Sequence, residues 1–441
     1  MNKLEKKPLC IIRAPVATRS GYGDMSRDIV RHFIEADKFD VKVHSVPWGD
    51  TPTNALDENN PMDKMIIDRF LSGNSNQPDL FVSITVPEEF QALGKYNIGI
   101  TAGIETTVAS PQWVESCNVM DTVWVISEHS KNVFDYSKYS QKDQAGNIVR
   151  DIRVTKPIEV LHNCINGKVI KKLNYDFEIE SSIKDLLKDV KEDFNFLFVG
   201  HWLQGEFMED RKNVGFLVRM FLETFKQIND KPKPALILKT SGAGFSLLDK
   251  ENILYKIGEI KKTVELKEGQ SLPNIYILHG ELTDSEMNSL YNHPKVKAHI
   301  SFTKGEGFGR PLLEASISGK PVIASGWSGH MDFLDAENAV LVGGELKPVH
   351  PSAYMGNMII KEATWFQADA QQAMNGMAAV FIEYPKYKKK ANLLGKQNEK
   401  KFSYETIKKR TLELIEKYVP ELPVEVELKL PPLKKKIESD E

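Results

Sequence analysis

The sequence predicts an α/β protein built from two doubly wound domains. Short apolar runs alternate with segments of helical periodicity through most of the chain, the pattern of βα units around parallel sheets, and this rhythm starts afresh at Phe194. The length of 441 residues suits two or three domains. In the first half, strands are expected at 9–13, 41–46, 80–84, 97–101, 122–126 and 159–161, with a helix over 22–35 whose Met25, Ile29, Phe33 and Ile34 recur at helical spacing. A charged, helix-like stretch over 181–192 separates the halves. The second half is expected to place strands at 194–199, 235–239, 275–278, 298–301 and 321–324, with helices over 215–229, 284–292 and 311–318. The division that follows is 1–185, 186–392, a helix over 393–418 and a flexible tail over 419–441. The tail is rich in Pro, Lys and acidic residues and too poor in apolar ones to build a core, although 424–428 also reads as an edge strand. Two doubly wound domains facing each other leave a cleft at the carboxyl ends of both sheets, the usual ligand position in open α/β folds.

Composition narrows the function classes. There are 58 Lys+Arg against 61 Asp+Glu, a net charge of −3, with 27% charged and 41% hydrophobic residues, which disfavours a disordered chain and a globally basic nucleic-acid binder. Residues 1–180 hold 21 Lys+Arg against 25 Asp+Glu, so DNA as a partner of this half is possible but not favoured. The cluster Lys434–Lys436 is followed by Glu438, Asp440 and Glu441 and reads as part of a solvated tail. Cys10, Cys117 and Cys164 are odd in number and widely spaced, which points to a reducing compartment and away from a disulfide framework or a cysteine zinc site. The apolar run after Pro8 is short, and no stretch approaches the roughly 20 apolar residues of a membrane span. A soluble, cytoplasmic protein with no transmembrane segment is the expectation.

The most informative string is Ser301-Phe-Thr-Lys-Gly-Glu-Gly-Phe-Gly-Arg-Pro-Leu-Leu-Glu314, continuing through Gly319 to Ser325, which reads as strand, glycine-rich loop, helix and strand. Gly305, Gly307 and Gly309 allow close approach of backbone to a ligand, Pro311 suits the start of a helix whose free amides favour an anion, and Gly319 ends that helix. Glu306 is placed in the loop and Glu314 in the first helical turn, and carboxylates there suit gripping adjacent hydroxyls. A second string, Phe198-Val-Gly-His-Trp-Leu-Gln followed by Asp210-Arg-Lys-Asn213, brings Arg211 and Lys212 just ahead of a helix. Two cations there either neutralise a diphosphate as charge grows on it or form a solvated basic turn.

Together these strings resemble the Glu-x7-Glu region and the Gly-Arg…Lys motif of retaining, nucleotide-sugar-dependent glycosyltransferases of GT-B fold, the group 1 or glycogen-synthase-like family. The resemblance runs over roughly 9–418 and is most specific at 301–332 and 196–213. It implies two Rossmann-like domains, the first receiving an acceptor and the second holding a nucleotide-diphosphate sugar, with the C-terminal helix crossing back to the first. It assigns Glu306, Gly307, Phe308 and Gly309 to the donor sugar, Glu314 to the ribose and Lys212 to the pyrophosphate. His201 stands where the family's arginine follows the glycine, so Arg211 is the candidate substitute.

Further segments extend the resemblance. Ser20-Gly-Tyr-Gly-Asp24, with Gly21 and Gly23, is similar to the family's glycine-rich loop, and it also reads as a simple helix start. The 99–106 segment resembles the one that often supplies a cleft histidine; here it has none, and Glu105 either faces the sugar or caps the loop. His129 reads as a surface or capping residue. His330, in Ser328-Gly-His-Met-Asp332, either touches ligand or does not. Lys239, ahead of Thr240 to Gly244 at a strand end, is a candidate nucleotide or phosphate contact, and the 279–284 turn is placed beside the base.

The implied reaction transfers a hexosyl or pentosyl group with retention to an acceptor hydroxyl, on a glycan, lipid, protein or modified DNA base. Glu306 positions the sugar, and the leaving diphosphate oxygen helps deprotonate the acceptor. No Asp-x-Asp triplet occurs, so no metal and no further cofactor is expected. The alternatives are an epimerase or phosphorylase on the same fold, or a sugar-binding protein without turnover.

Overall fold

A computed structural model describes residues 5–73, 76–203, 205–226, 232–242, 246–422 and 425–426. The Lys434–Lys436 cluster, most of the 419–441 tail and residues 227–229 of the expected 215–229 helix lie outside the described residues.

Twelve strands form two six-stranded sheets. The first contains β1 (Leu9–Ala14), β2 (Asp40–Ser45), β3 (Leu80–Ile84), β4 (Tyr96–Thr101), β5 (Thr122–Val125) and β6 (Ile158–Val160), in the order β2-β1-β3-β4-β5-β6. The second contains β7 (Asn195–Val199), β8 (Ala235–Lys239), β9 (Ile275–Leu278), β10 (Val296–Ser301), β11 (Val322–Ser325) and β12 (Val340–Val342), in the order β9-β8-β7-β10-β11-β12. Pairing is parallel, as in β1 with β2 and β3 and in β7 with β8 and β10. The order of the second sheet is that of dinucleotide-binding folds, with its switch point between β7 and β10. The α/β doubly wound class is thereby observed, with the limits of eleven strands within two residues of those expected from the apolar runs; β12 was not expected.

By internal contacts the chain divides into two compact units, one of residues 1–84, 92–98 and 412–441, the other of 85–91 and 99–411. In the first unit β1 leads into helix α1 (Gly21–Glu35), capped by the Ser20 hydroxyl, which accepts from the Gly23 N–H at 3.0 Å. Tyr22 stacks on Trp48 at 3.9 Å. Glu425–Val426, inside the expected tail, pairs antiparallel with Glu5–Lys6.

In the second unit, β7 shows how alternation builds two cores. Phe196 and Phe198 point to one face, with Leu236, Leu238, Ala298 and Ile300, beneath Phe221 and Phe225; Leu197 points to the other, with Ile237, Leu278 and Val296. The charged 181–192 stretch, expected as a separator, is packed into that second face: Ile179, Ile183, Leu187 and Val190 lie buried there at helical spacing. Its charge is the solvent side of an amphipathic segment. The antiparallel pairs Tyr139–Lys142 with Ile148–Ile152 and Gly344–Pro348 with Thr364–Ala368 were not expected. The C-terminal helical stretch is two helices, Tyr384–Lys401 and Tyr404–Tyr418, broken at Phe402 and Ser403.

Gly21 and Gly23 differ sharply. A Cβ at Gly23 would sit 2.2 Å from the Thr18 carbonyl oxygen, whereas one at Gly21 would meet nothing within 4 Å. Gly23→Ala is therefore expected to lose more than about 1 kcal/mol of stability by steric conflict. Gly21→Ala should stay within about 0.5 kcal/mol of wild type. Urea denaturation of the two variants checks the contrast.

Candidate active site

The site is built where β7 and β10 end, at the switch point of the second sheet, where ligands of such folds bind. From β10 the chain enters the 302–309 loop, and after Gly200 it passes through 201–213 into helix α2 (Val214–Phe225). Arg211 joins the two segments. Its carbonyl accepts from the Lys304 N–H at 2.8 Å, and its guanidinium donates to the Gly305 carbonyl at 2.9 Å. Beneath this clamp, Lys304 is 1% exposed, its ammonium 2.6 Å from Glu209 and 4.6 Å over the Trp365 ring.

Four charged side chains meet there. The Lys212 ammonium lies 2.5 Å from one Glu306 oxygen, and the Arg211 guanidinium lies 3.5 Å from the other and 3.7 Å from Glu105. Burial works to raise the Glu306 carboxyl, but Lys212 and Arg211 outweigh it and bring its pKa down to about 2. Burial likewise lowers Lys212, opposed by Glu306, while Arg211 is held up against its own burial by Glu105 and Glu306. The backbone of Glu306 is fixed from the other side: its N–H donates to the Ser328 hydroxyl at 3.0 Å, and its carbonyl accepts from Gly329 at 2.9 Å. Ser328 holds φ at 83°, a conformation L residues rarely adopt.

The loop glycines have a cause within the chain. A Cβ at Gly305 would lie 1.8 Å from the Glu105 carbonyl oxygen and one at Gly307 2.3 Å from that of Ala102. The close approach expected toward a ligand is made first to the 102–105 segment. Gly309, at φ 90°, opens helix α3 (Arg310–Ile317). That helix begins one residue earlier than expected, so Glu314 sits in its second turn and not its first. Glu314 does not share the partners of Glu306; it accepts from Arg310 Nε at 2.8 Å and from the Tyr291 hydroxyl at 3.2 Å. Phe308 is buried among Phe333, Phe402 and His162, with ring centroids 5.2 to 5.9 Å away, so its side chain anchors the loop and only its backbone is left for a ligand.

Lys239, at the end of β8, donates to the Gly280 carbonyl at 2.6 Å. His201 meets the Ser241 hydroxyl at 3.0 Å; desolvation first, then Lys212, Lys239 and Arg211, hold its imidazole below the ordinary value. His330 is fully buried and gives Nε2–H to the Ser325 carbonyl at 2.6 Å. His129, expected as a surface or capping residue, is half-buried edge-on to Trp327, and burial takes its pKa down to about 4. Gly21 and Gly23 belong to the first unit, at the start of α1.

Sequence reasoning missed several partners. Asp332 accepts from the Glu128 N–H and pairs with His162, both at 2.9 Å. Ser328 and Asp332 lay in a string already singled out for His330; Tyr291, His162 and Glu209 carried no local signal.

Glycine loop, paired acid and cations lie at the carboxyl ends of a 3-2-1-4-5-6 sheet, the arrangement that the resemblance to GT-B glycosyltransferases implies. Residues 217–347 match the family model described as Glycosyl transferases group 1. The Anabaena Alr3699/HepE structure in complex with UDP-glucose is similar at 14% identity and TM-score 0.58, covering 93% of this chain and 100% of that one. Sucrose-phosphate synthase (tll1590) from Thermosynechococcus elongatus gives 14% identity and TM-score 0.58 over 93% and 99%, and a glycosyltransferase from Rickettsia africae ESF-5 gives 14% and 0.55 over 94% and 99%. At this identity the structures show the fold. No curated protein matches in sequence. The matched segment and the similar structures agree on a GT-B architecture, and residues 217–347 resemble the group 1 glycosyltransferase family.

Because the folded pKa of Glu306 is depressed, its ionisation contributes stability that is fully present above the unfolded value near 4.5 and is lost as pH falls toward about 2. The stability difference between wild type and Glu306→Gln should therefore be constant above pH of about 5 and shrink below it. Urea midpoints between pH 7 and pH 3 measure this, and a flat difference would contradict the pairing.

Proposed function

We propose that the protein is a retaining glycosyltransferase that moves a sugar from a nucleotide-diphosphate sugar to an acceptor hydroxyl, without a metal ion. The convergence of Lys212 and Arg211 on Glu306 at the sheet's switch point carries this reading. Lys212, Arg211 and Lys239 neutralise the diphosphate as its charge grows, fixed cations doing the work otherwise given to a divalent ion. Glu306 and the backbone of Gly307, Phe308 and Gly309 hold the sugar, and Glu314 takes the ribose. Glu105 keeps Arg211 oriented.

The C1–O bond to the diphosphate breaks and a C1–O bond to the acceptor forms on the same face. The acceptor's proton passes to the leaving phosphate oxygen. Glu306 is no nucleophile in this scheme: an acid with a pKa of about 2, bonded to an ammonium, is weakly basic and suited to accepting hydrogen bonds from hydroxyls. We place the protein in the cytoplasm. Its three cysteines are buried and form no disulfide, and among the described residues no helix is long and apolar enough to cross a membrane. The acceptor class stays open among glycan, lipid, protein and, less favoured, a DNA base.

Calorimetric titration with UDP-, GDP- and ADP-sugars in EDTA tests the reading, starting with UDP-glucose, which a protein of this fold holds. One donor should bind and weaken at least tenfold in Lys212→Ala and in Glu314→Ala, a loss of about 1.4 kcal/mol each. No binding across the panel would favour a non-catalytic role. Glu306→Gln should keep measurable turnover by product analysis, whereas removal of a covalent nucleophile would abolish it.

A further inference from the structure

Away from that site, four lysines converge where the helix Tyr384–Lys401 crosses the turn after α3. Asn392, one turn beyond Lys388, packs its amide oxygen so closely over this turn that a Cβ on Gly319 would lie 2.5 Å from it. The next residue is Lys320, which is 7% exposed and donates from its ammonium to the His293 carbonyl at 2.7 Å. Lys172 reaches the same Asn392 oxygen at 2.8 Å. Lys297 stands two residues ahead of His299, and Lys320 two ahead of Val322; those two are register partners of β10 and β11.

These lysines repel one another. Desolvation, then Lys388 and Lys297, hold Lys320 well below the ordinary lysine value. Desolvation, then Lys172 and Lys297, bring Lys388 down to about 8. Among the described residues none of the four forms an ion pair, and on the crossing helix only Lys386 does, with Glu383. The crossing helix carries seven lysines against Glu399 alone. Gathering ammonium groups around a buried one without a counter-charge is costly unless an anion completes the set.

We propose that Lys172, Lys297, Lys320 and Lys388 form an anion site for a phosphate group, separate from the donor site and independent of the reading given for it. A tetrahedral dianion accepts several hydrogen bonds at once and matches point-like ammonium donors, which hold phosphate as charge rather than by bidentate geometry. Its source is a phosphorylated small molecule or the headgroup of an anionic lipid.

Thermal melting and calorimetry with inorganic phosphate test the site on the full chain. In phosphate-free buffer, Lys388→Met should raise the Tm, since it removes a repelling charge; a lysine with a purely structural role would lower it. In a Lys212→Ala background, which removes the cation facing Glu306, one phosphate should bind, and adding Lys172→Met with Lys388→Met should weaken it at least tenfold. On the wild-type background the same pair should remove one site from the stoichiometry. Phosphate binding unchanged by the pair, or a Tm lowered by Lys388→Met, would overturn the proposal. Vesicles containing phosphatidic acid then assign the source: sedimentation that depends on Lys172 and Lys388 identifies the lipid headgroup, and phosphate binding without sedimentation identifies the soluble ligand.

Discussion

Arg211 is the residue on which the site's construction depends. Its carbonyl and its guanidinium both engage the 304–305 backbone, so one residue fixes the 302–309 loop against the segment that follows β7. These two hydrogen bonds hold the loop toward Lys212 from one side, and the Ser328 and Gly329 bonds to the Glu306 backbone hold it from the other. The glycines complete the constraint from the opposite side, because only residues lacking a Cβ let the loop lie against the 102–105 carbonyls. Geometry here comes from backbone contacts, and the charged side chains are placed as a result.

The electrostatics follow from that placement. Two acids and two cations are enclosed together, so each desolvation cost is met by an opposite charge within 4 Å. On the function proposed, a donor diphosphate entering such a set does not find free cations; it exchanges one anionic partner for another. Affinity is then the difference between two ion-pair arrangements, which favours ligands that also satisfy the displaced carboxylate, as sugar hydroxyls do.

Most strands were legible because parallel strands covered on both faces read as apolar runs, β3 and β5 being buried throughout. The hairpin of Gly344–Pro348 escaped notice because its first strand is exposed along its whole length and carries no pattern. The break at Phe402 is set by tertiary packing, with that ring wedged beside His162, Phe308 and Phe333. At the site, the strings around Glu306 and Lys212 were readable as local motifs. Their partners were not: Ser328 reaches Glu306 and Tyr291 reaches Glu314 from 22 and 23 positions away, beyond any window of periodicity. The offset of Glu314 into the second turn came from one extra helical residue, Arg310, ahead of the proline.

The strand order of the second sheet also has a temporal meaning. Arg211 and Glu306 lie 95 positions apart and become neighbours only when β10 docks beside β7. Strands β8 and β9 must be laid down in between, on the other side of β7. A chain still emerging from the ribosome can therefore complete β7 to β9 and bury much of that half-sheet while possessing no site at all. β11 and β12 join the sheet beyond β10, so the Arg211–Glu306 contact belongs to the second half of the sheet and cannot form from the first half alone.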